Sequence, residues 1–383
     1  MSSRVGIDGR TLTGPFTGDR TYWRGLLSAL PGLAPDLQFY VYSHRPFPAG
    51  VLPSASNLVL RVIPSRNERL WSLFTLPAIA RNDRCALLHV QYTVPFGCSC
   101  PVITTVHDIS FRLHPEWFPW KHRLLLNMGV ALAIRRATKV ITVSETSRQD
   151  ILRLYRCPPE RVVAIPNAVS PLFFQPIAPA EARRLVMEKY KVSAPFVLAV
   201  GVLQPRKNIE TLAAAFGIAH ARYGQPLSLV IVGKKGWGVQ EETIRARVAQ
   251  HGGAAAAESL VFTGYVPDED LPFLYTACAV FAYPSLYEGF GIPPLEAMAC
   301  GAPTLVAQAP PMPEVVDEAA LLISPSDPRA WADALLSVLQ DADLRDSLRE
   351  KGPIRARCFT WEESARRTLA LYRQILTSTS SLA

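Results

Sequence analysis

The sequence predicts an α/β fold of two Rossmann-like domains, each built on a doubly wound parallel sheet. Three observations predict it. Short apolar, β-branched runs alternate with segments of helical period in both halves of the chain, the pattern of stacked βαβ units. Glycine-rich turns close several of these runs, where a strand gives way to a helix. A chain of 383 residues also exceeds one ordinary domain core, so two domains are expected. In such sheets ligands bind beyond the carboxyl ends of the strands, and two domains with strand ends facing each other would share an interdomain cleft.

In the first half the expected strands are residues 4–7, 38–42, 58–63, 87–90, 102–106, 139–143 and 162–165. The second half repeats the pattern at 196–200, 229–232, 260–262, 280–283, 304–307 and 321–323. Across residues 167–192 proline, alanine and charge replace the apolar alternation, which sets domains of 1–172 and 173–360. The closing segment 361–376 has apolar positions at helical spacing, and a helix is expected over about 361–383.

Composition narrows the function classes. Apolar residues make up 49% and charged residues 19%, as in a well-buried globular protein without long disordered tracts. No apolar run reaches the roughly 20 residues that span a bilayer, and MSSRVGIDGR at the start lacks the apolar core of a signal peptide, so a cytoplasmic protein is expected. Seven cysteines, an odd number, suit reduced thiols; Cys98-Ser-Cys100 has no second pair beside it and is not read as a zinc site. The net charge of +8 admits anionic partners. Lysine and arginine are not gathered into a tail and no nucleic-acid motif is present, so nucleic acid is not expected among them. The 33 prolines fall mostly between apolar segments and punctuate loops. Nothing in the sequence signals an oligomeric state.

The most informative stretch is Glu288-Gly-Phe-Gly-Ile-Pro-Pro-Leu-Glu296. Glu288 follows an expected strand, Gly289 and Gly291 free the backbone, and Pro293 and Pro294 suit a first helical turn. A helix N-terminus then stands beyond Glu288, which suits a phosphate group. Upstream, Gly201-Val-Leu-Gln-Pro-Arg206-Lys207-Asn208 also joins a strand to a helix. Two cations at a helix start are electrostatically misplaced unless an anion joins them.

From Phe262 the chain runs FTGYVPDEDLPFLYTACAVFAYPSLYEGFGIPPLEAMACGAPTLVA, which resembles the C-terminal half of the retaining, GT-B-fold glycosyltransferases called family 4. Weaker matches extend over nearly the whole chain. The resemblance implies a retaining hexosyltransferase of polysaccharide biosynthesis, with Glu288 beside the transferred sugar and Glu296 on the nucleotide ribose. It makes Arg206 and Lys207 the clamp on the donor diphosphate and puts Gly18, Gly201, Asn208, Gly233, Tyr265, Val266, Gly289, Phe290, Gly291 and Ile292 at the donor. It also implies that the closing helix crosses back onto the first domain. Preorganised cations that meet charge growing on a leaving phosphate contribute roughly 3–4 kcal/mol per donor in comparable sites.

His107-Asp108 ends the expected strand 102–106, and the ISFRLHPEWFP after it resembles the family's loop near the sugar and acceptor. His107 is therefore expected to hydrogen-bond the transferred sugar or stabilise charge there, and not to act as a general base. Gly6 to Tyr22 resembles the family's first strand and glycine loop; relatives commonly carry a second glycine where this chain has Arg20, so a less permissive loop is expected, with Asp19 and Arg20 either making specific contacts of their own in place of the family's acceptor contacts or forming a local surface pair. The turn Gly233-Lys-Lys-Gly-Trp-Gly238 lacks the dinucleotide fingerprint spacing; the resemblance puts it beside the nucleotide, with Tyr265 and Val266 near the base.

No metal or other cofactor is expected. Asp268-Glu-Asp270 has the Asp-x-Asp form of metal-dependent glycosyltransferases, yet it precedes a helix, where acidic residues need no metal, and Asp341-Ala-Asp343 sits between two helices in the same way. Partners are then a nucleotide-sugar donor, with GDP-mannose first from the likeness to mannosyltransferase-like members and UDP-glucose second, and a saccharide or lipid-linked acceptor. Aromatic and basic residues in Pro115-Glu-Trp-Phe-Pro-Trp-Lys-His-Arg123 and Arg66-Asn-Glu-Arg-Leu-Trp71 suit peripheral contact with the inner face of a membrane as well as they suit domain packing. No unambiguous nucleophile stands in these motifs, which favours same-face attack. The alternatives are a GT-B-fold epimerase or phosphorylase, or a catalytically silent nucleotide-sugar binding protein.

Overall fold

Each of the thirteen runs expected as strands is a strand in the computed structural model, which describes residues 3–14, 17–193 and 195–380. Pro15 and Phe16 of the glycine loop and the last three residues of the expected closing helix lie outside the described residues. The chain divides into two compact units, Met1–Ala168 with Phe359–Ala383, and Val169–Cys358.

The first unit holds a seven-stranded parallel sheet of β1 (Ser3–Asp8), β2 (Leu37–Ser43), β3 (Leu58–Val62), β4 (Leu87–Gln91), β5 (Val102–Thr105), β6 (Lys139–Thr142) and β7 (Val162–Ala164), in the order β3-β2-β1-β4-β5-β6-β7. The second holds a six-stranded parallel sheet of β8 (Phe196–Val200), β9 (Ser228–Val232), β10 (Leu260–Gly264), β11 (Val280–Tyr283), β12 (Thr304–Ala307) and β13 (Leu321–Ile323), in the order β10-β9-β8-β11-β12-β13. The order reverses direction between β1 and β4 in one sheet and between β8 and β11 in the other. At such switch points the connecting helices leave on opposite faces, and the loops beyond the strand ends part to leave a crevice.

Period-two alternation distributes each strand between two cores. In the first sheet Leu87, Ile103 and Ile141 face the core closed by Trp23, Leu26, Leu27 and Tyr372, whereas Leu88, Val102 and Val140 face the core closed by Trp71, Leu76, Val130 and Ile134. Both faces of the central strands are covered, so β4 and β5 are buried along their whole length. This double burial is why they are apolar enough to be recognised from sequence.

The closing helix Trp361–Ser380 packs on the helix Gly18–Leu33 and belongs to the first unit. Buried His89 of β4 fixes it: its Nδ1 lies 2.6 Å from the Tyr372 hydroxyl and its Nε2 2.7 Å from the Thr105 hydroxyl. Burial lowers the His89 pKa to about 3, so the ring stays neutral and shares hydrogen bonds with two hydroxyls. Trp361 lies flat against Gly25, where a Cβ would stand 2.0 Å from the indole. Gly25→Ala is expected to destabilise the first unit by about 1–3 kcal/mol despite alanine's better helix propensity, because the indole must move. Thermal denaturation tests it: a melting temperature equal to or above the wild type's would show that the close approach is not made.

Candidate functional site

The loops after β8 and β11 meet at the switch point of the second sheet, and there the two motifs singled out from sequence converge. Leu286 donates its backbone N–H to the Arg206 carbonyl at 2.8 Å, and Glu288 donates its own to the Pro310 carbonyl after β12 at 3.1 Å. Glu288, buried to 7% exposure, receives Arg206 Nη1 on Oε2 and Lys207 Nζ on Oε1, each at 2.5 Å. Tyr283, the last residue of β11, adds a third arm. Its hydroxyl accepts from Lys207 Nζ at 2.7 Å and donates to Glu288 Oε1 at 2.9 Å, and its ring lies 4.8 Å from the same ammonium.

Burial works against the charge on Glu288, but the Arg206 and Lys207 cations outweigh it and lower its pKa to about 2. The carboxylate is therefore fully ionised at neutral pH. The conflict between two adjacent cations and the helix start at Ile209 is thus resolved within the protein by Glu288, without an outside anion. One unit of positive charge remains in excess among the three groups.

Backbone geometry holds this cluster. Gly291 has φ of +98°, and a Cβ there would fall 2.3 Å from Met312 Cε, so the turn into the helix Ile292–Ala299 requires glycine. Pro293 and Pro294 bring no N–H, so of the first three helical positions only Ile292 can donate to a ligand. Asn208 adopts a left-handed conformation with φ of +54°. Its amide donates to the carbonyls of Pro284 at 3.2 Å and Pro325 at 2.8 Å, while its oxygen accepts from Thr211 at 2.7 Å, so its side chain staples three loops together.

The loop after β9 runs beside that after β8: a Cβ on Gly233, at φ of +146°, would stand 2.0 Å from the Gly201 carbonyl. Leu203 donates to the Lys234 carbonyl at 3.1 Å. Tyr265 is exposed to 42%, and Lys234 Nζ stands 4.9 Å from the centre of its ring. The side chains of Val266 and Phe290 are buried. Glu296 meets the Tyr275 hydroxyl at 3.2 Å; burial raises its pKa to about 8 against the pull of that hydrogen bond, and Asp268 raises it further. The pKa values of the two carboxylates of the motif are thus pushed in opposite directions.

In the first unit His107 lies just past β5, buried, with its ring 4.9 Å from that of Tyr22. Its Nε2 is 3.0 Å from the Gln91 side-chain nitrogen and 3.6 Å from Asp19 Oδ1. The same Gln91 nitrogen donates to the Asp19 carbonyl at 3.1 Å and the Gln91 oxygen accepts from Thr11 at 3.1 Å, an assignment that makes His107 Nε2 an acceptor. Burial lowers the pKa of His107 in spite of Asp19 and Asp108, in keeping with a neutral ring. Gln91 ends β4 at the switch point of the first sheet and was not singled out from sequence; nor was Tyr283.

Two expectations change, and one open alternative is decided. Gly18 opens the helix Gly18–Leu33, so Arg20 lies in a helical first turn where glycine's freedom is not needed; its Nη1 donates to the Gly14 carbonyl at 2.9 Å. Asp270 does not cap the helix Leu271–Ala277 with its side chain: its carboxylate takes Lys189 Nζ at 2.7 and 2.9 Å and the Tyr190 hydroxyl at 2.7 Å. Trp71 takes the packing alternative of the two readings open to its segment: it is fully buried, with its ring 5.9 Å from that of His44. The other acidic pair behaves as expected, since Asp341 caps the helix Ala342–Ala356 through the Leu344 N–H at 3.0 Å.

With this geometry in hand, the comparisons with known proteins agree among themselves. The chain matches Glycosyltransferase Family 4 over residues 18–171 and Glycosyl transferases group 1 over residues 187–355. It is similar to O-antigen chain mannosyltransferase B of Escherichia coli, with 35% identity over 71% of this chain and 70% of that protein. It is 31% identical to the serotype-specific mannosyltransferase WbdA of Escherichia coli over 66% of this chain, spanning 30% of that relative's length. Among solved structures, sucrose-phosphate synthase from Thermosynechococcus elongatus superposes with a TM-score of 0.75 at 22% identity, covering 98% of this chain and 100% of that one. Anabaena HepE in complex with UDP and glucose gives 0.72 at 19%, again over 98% and 100%. At these identities the structures establish the shared GT-B fold.

The Glu288 cluster predicts a pH dependence. Because its pKa falls from 4.5 to about 2 on folding, the cluster contributes stability above pH 4.5 that is lost as pH drops toward 2, up to about 3 kcal/mol. Glu288→Gln is expected to flatten the stability profile between those limits. Denaturant titrations of both proteins at several pH values check this, and parallel profiles would show that the carboxylate is not held by the cations.

Proposed function

Since the chain belongs to the family 4, group 1 glycosyltransferases and has their GT-B fold, we propose that it is a retaining, metal-independent hexosyltransferase of polysaccharide biosynthesis. It moves a hexose from a nucleotide-sugar to a hydroxyl of a saccharide or lipid-linked saccharide. The observation that carries the reading is the ion cluster of Glu288, Arg206 and Lys207 at the β8/β11 switch point. GDP-mannose is the first donor, since the relative at 35% identity is a mannosyltransferase, and UDP-glucose is the second.

In the mechanism we favour, the bond between the sugar's anomeric carbon and the phosphate oxygen breaks, and negative charge grows on the leaving diphosphate. Arg206 and Lys207 meet that charge, already oriented by Glu288, so little reorganisation accompanies the step. The acceptor hydroxyl attacks from the same face and its proton passes to the leaving phosphate oxygen. Glu288, ionised, accepts hydrogen bonds from sugar hydroxyls, and Glu296 takes the ribose. His107 serves the acceptor side as a neutral hydrogen-bonding group; with Nε2 already accepting from Gln91 it is a poor general base. The positive charge that a divalent ion supplies elsewhere comes from Arg206 and Lys207, while Asp270 and Asp341 are engaged in structural contacts.

Glu288→Gln is expected to lower kcat about 10²–10³-fold with little change in donor affinity, and Arg206→Ala to weaken both nucleoside-diphosphate binding and rate. Steady-state kinetics and nucleotide titrations separate these, and wild-type turnover by Glu288→Gln would remove Glu288 from the chemistry. In EDTA, a thermal-shift screen should find a nucleoside diphosphate or its sugar that adds about 2.7 kcal/mol at 100 times its dissociation constant. Stabilisation by none of them would overturn the donor site, and stabilisation only after a divalent metal is restored would overturn metal independence.

A further inference from the structure

The geometry points to Cys98 and Cys100 as an oxidisable dithiol, a modification site for hydroperoxides at which Cys98 takes the oxidant and Cys100 resolves it to a disulfide. Both thiols are free and lie in the segment that joins β4 to β5. Alternation puts them on one side of the chain: Cys98 and Cys100 are half-buried, Ser99 between them is exposed, and both cysteines pack against the core that holds Cys85, Val94 and Val102. The chain bends at Ser99 and Cys100. Two fully extended steps span about 7 Å between Cα atoms, and a bend draws them into the roughly 4.4–6.8 Å over which cysteines bridge. Hydrogen bonds pin the turn on either side. Phe96 donates its N–H to the Leu73 carbonyl at 3.0 Å, Arg81 Nη2 donates to the Gly97 carbonyl at 2.9 Å, and the Pro101 carbonyl accepts from the Leu88 N–H at 3.0 Å.

The three thiols around this core differ in reactivity. Cys85 is 7% exposed with its sulfur 3.3 Å from the Tyr42 hydroxyl, and burial raises its pKa to about 11. At Cys98 a hydrogen bond from the Cys100 side chain outweighs burial, and the Cys100 N–H, the Arg81 cation and the Ser99 N–H add to it, so its pKa falls to about 7. The same contact, with burial, pushes Cys100 up. A thiolate beside a protonated thiol is the pair that peroxide chemistry uses. Cys98 Sγ attacks one peroxide oxygen; the O–O bond breaks, leaving a sulfenic acid and a hydroxide that takes a proton from solvent. The Cys100 sulfur then attacks the sulfenic sulfur, the S–S bond forms, the S–O bond breaks, and the departing hydroxide leaves as water with the Cys100 proton. The two sulfurs give up two electrons and the peroxide is reduced to two waters. A bridge across a single residue closes a small ring, which a dithiol reductant reopens readily.

The test is peptide mapping of the full chain by mass spectrometry. Cys358 is the exposed cysteine, so access alone would make it the first to react. With limiting iodoacetamide at pH 7, Cys98 is expected to be alkylated at least about fivefold faster than Cys358. After hydrogen peroxide, the peptide that carries Cys98 and Cys100 should lose two hydrogens and regain them with dithiothreitol. Cys100→Ser should hold Cys98 as a sulfenic acid that dimedone captures, and Cys98→Ser should leave Cys100 reduced. The alkylation order and the disulfide map use the wild type and need no variant to fold. Alkylation of Cys358 ahead of Cys98, no dithiothreitol-reversible loss of hydrogens from that peptide, or a bridge from either thiol to Cys85 overturns the inference. Neither donor nor acceptor takes part, so its failure would leave the glycosyltransferase reading untouched.

Discussion

A single buried carboxylate compensating two cations is the constraint around which the second unit's loops are arranged. Arg206 and Lys207 arrive on a short turn after β8, and Glu288 arrives after β11. The strand order puts these two ends side by side, so the counter-charge comes from a residue 82 positions from Arg206 and 81 from Lys207. Removing Glu288 from water is costly unless both of its oxygens are matched, which explains the turn geometry around it. Gly291 passes under Met312, Asn208 is turned left-handed to hold three loops, and Glu288 itself is anchored to the loop after β12.

In the proposed enzyme the same cluster would supply the positive charge that a nucleotide-sugar's diphosphate needs. Unpaired, two adjacent cations at a helix start would repel one another and the helix dipole. Paired with Glu288 they are already oriented, and in the proposed enzyme the one positive charge left over would meet an incoming diphosphate. A ligand then shares the cations with Glu288 and does not have to gather them. The rotamer entropy of two long side chains has been spent in folding, the usual advantage of preorganisation.

The fold was legible because the central strands of each sheet, such as β4, β5, β11 and β12, are buried on both faces. Such strands are continuous apolar runs whose ends are marked by glycine and proline, as at Gly201 after β8 and Pro284 after β11. The charged part of the site was legible for the opposite reason: Glu288, Arg206 and Lys207 are ionic residues where a solvated face is not expected. Tyr283 and Gln91 were hidden because each is the last residue of a strand, and a strand's last residue gains meaning only when strand order is known. That order comes from pairing between distant segments. For Trp71, whose segment suited packing and a surface equally from sequence, the burial of its ring selects packing.

The two glutamates of the opening motif end in contrasting environments, and that contrast gives them different chemistry. Glu288 faces cations and stays ionised; Glu296, eight positions on, faces Tyr275 and the field of Asp268, and burial raises its pKa to about 8. When neighbouring acids are driven apart in this way, one can act as a fixed charge while the other keeps its proton and both donates and accepts hydrogen bonds. A neutral acid that can do both suits a pair of vicinal hydroxyls, as a ribose presents, and it adds no negative charge beside a diphosphate that already carries several. A second ionised carboxylate there would oppose the donor that Arg206 and Lys207 attract. In the proposed enzyme the raised pKa of Glu296 therefore complements the positive charge of Arg206 and Lys207.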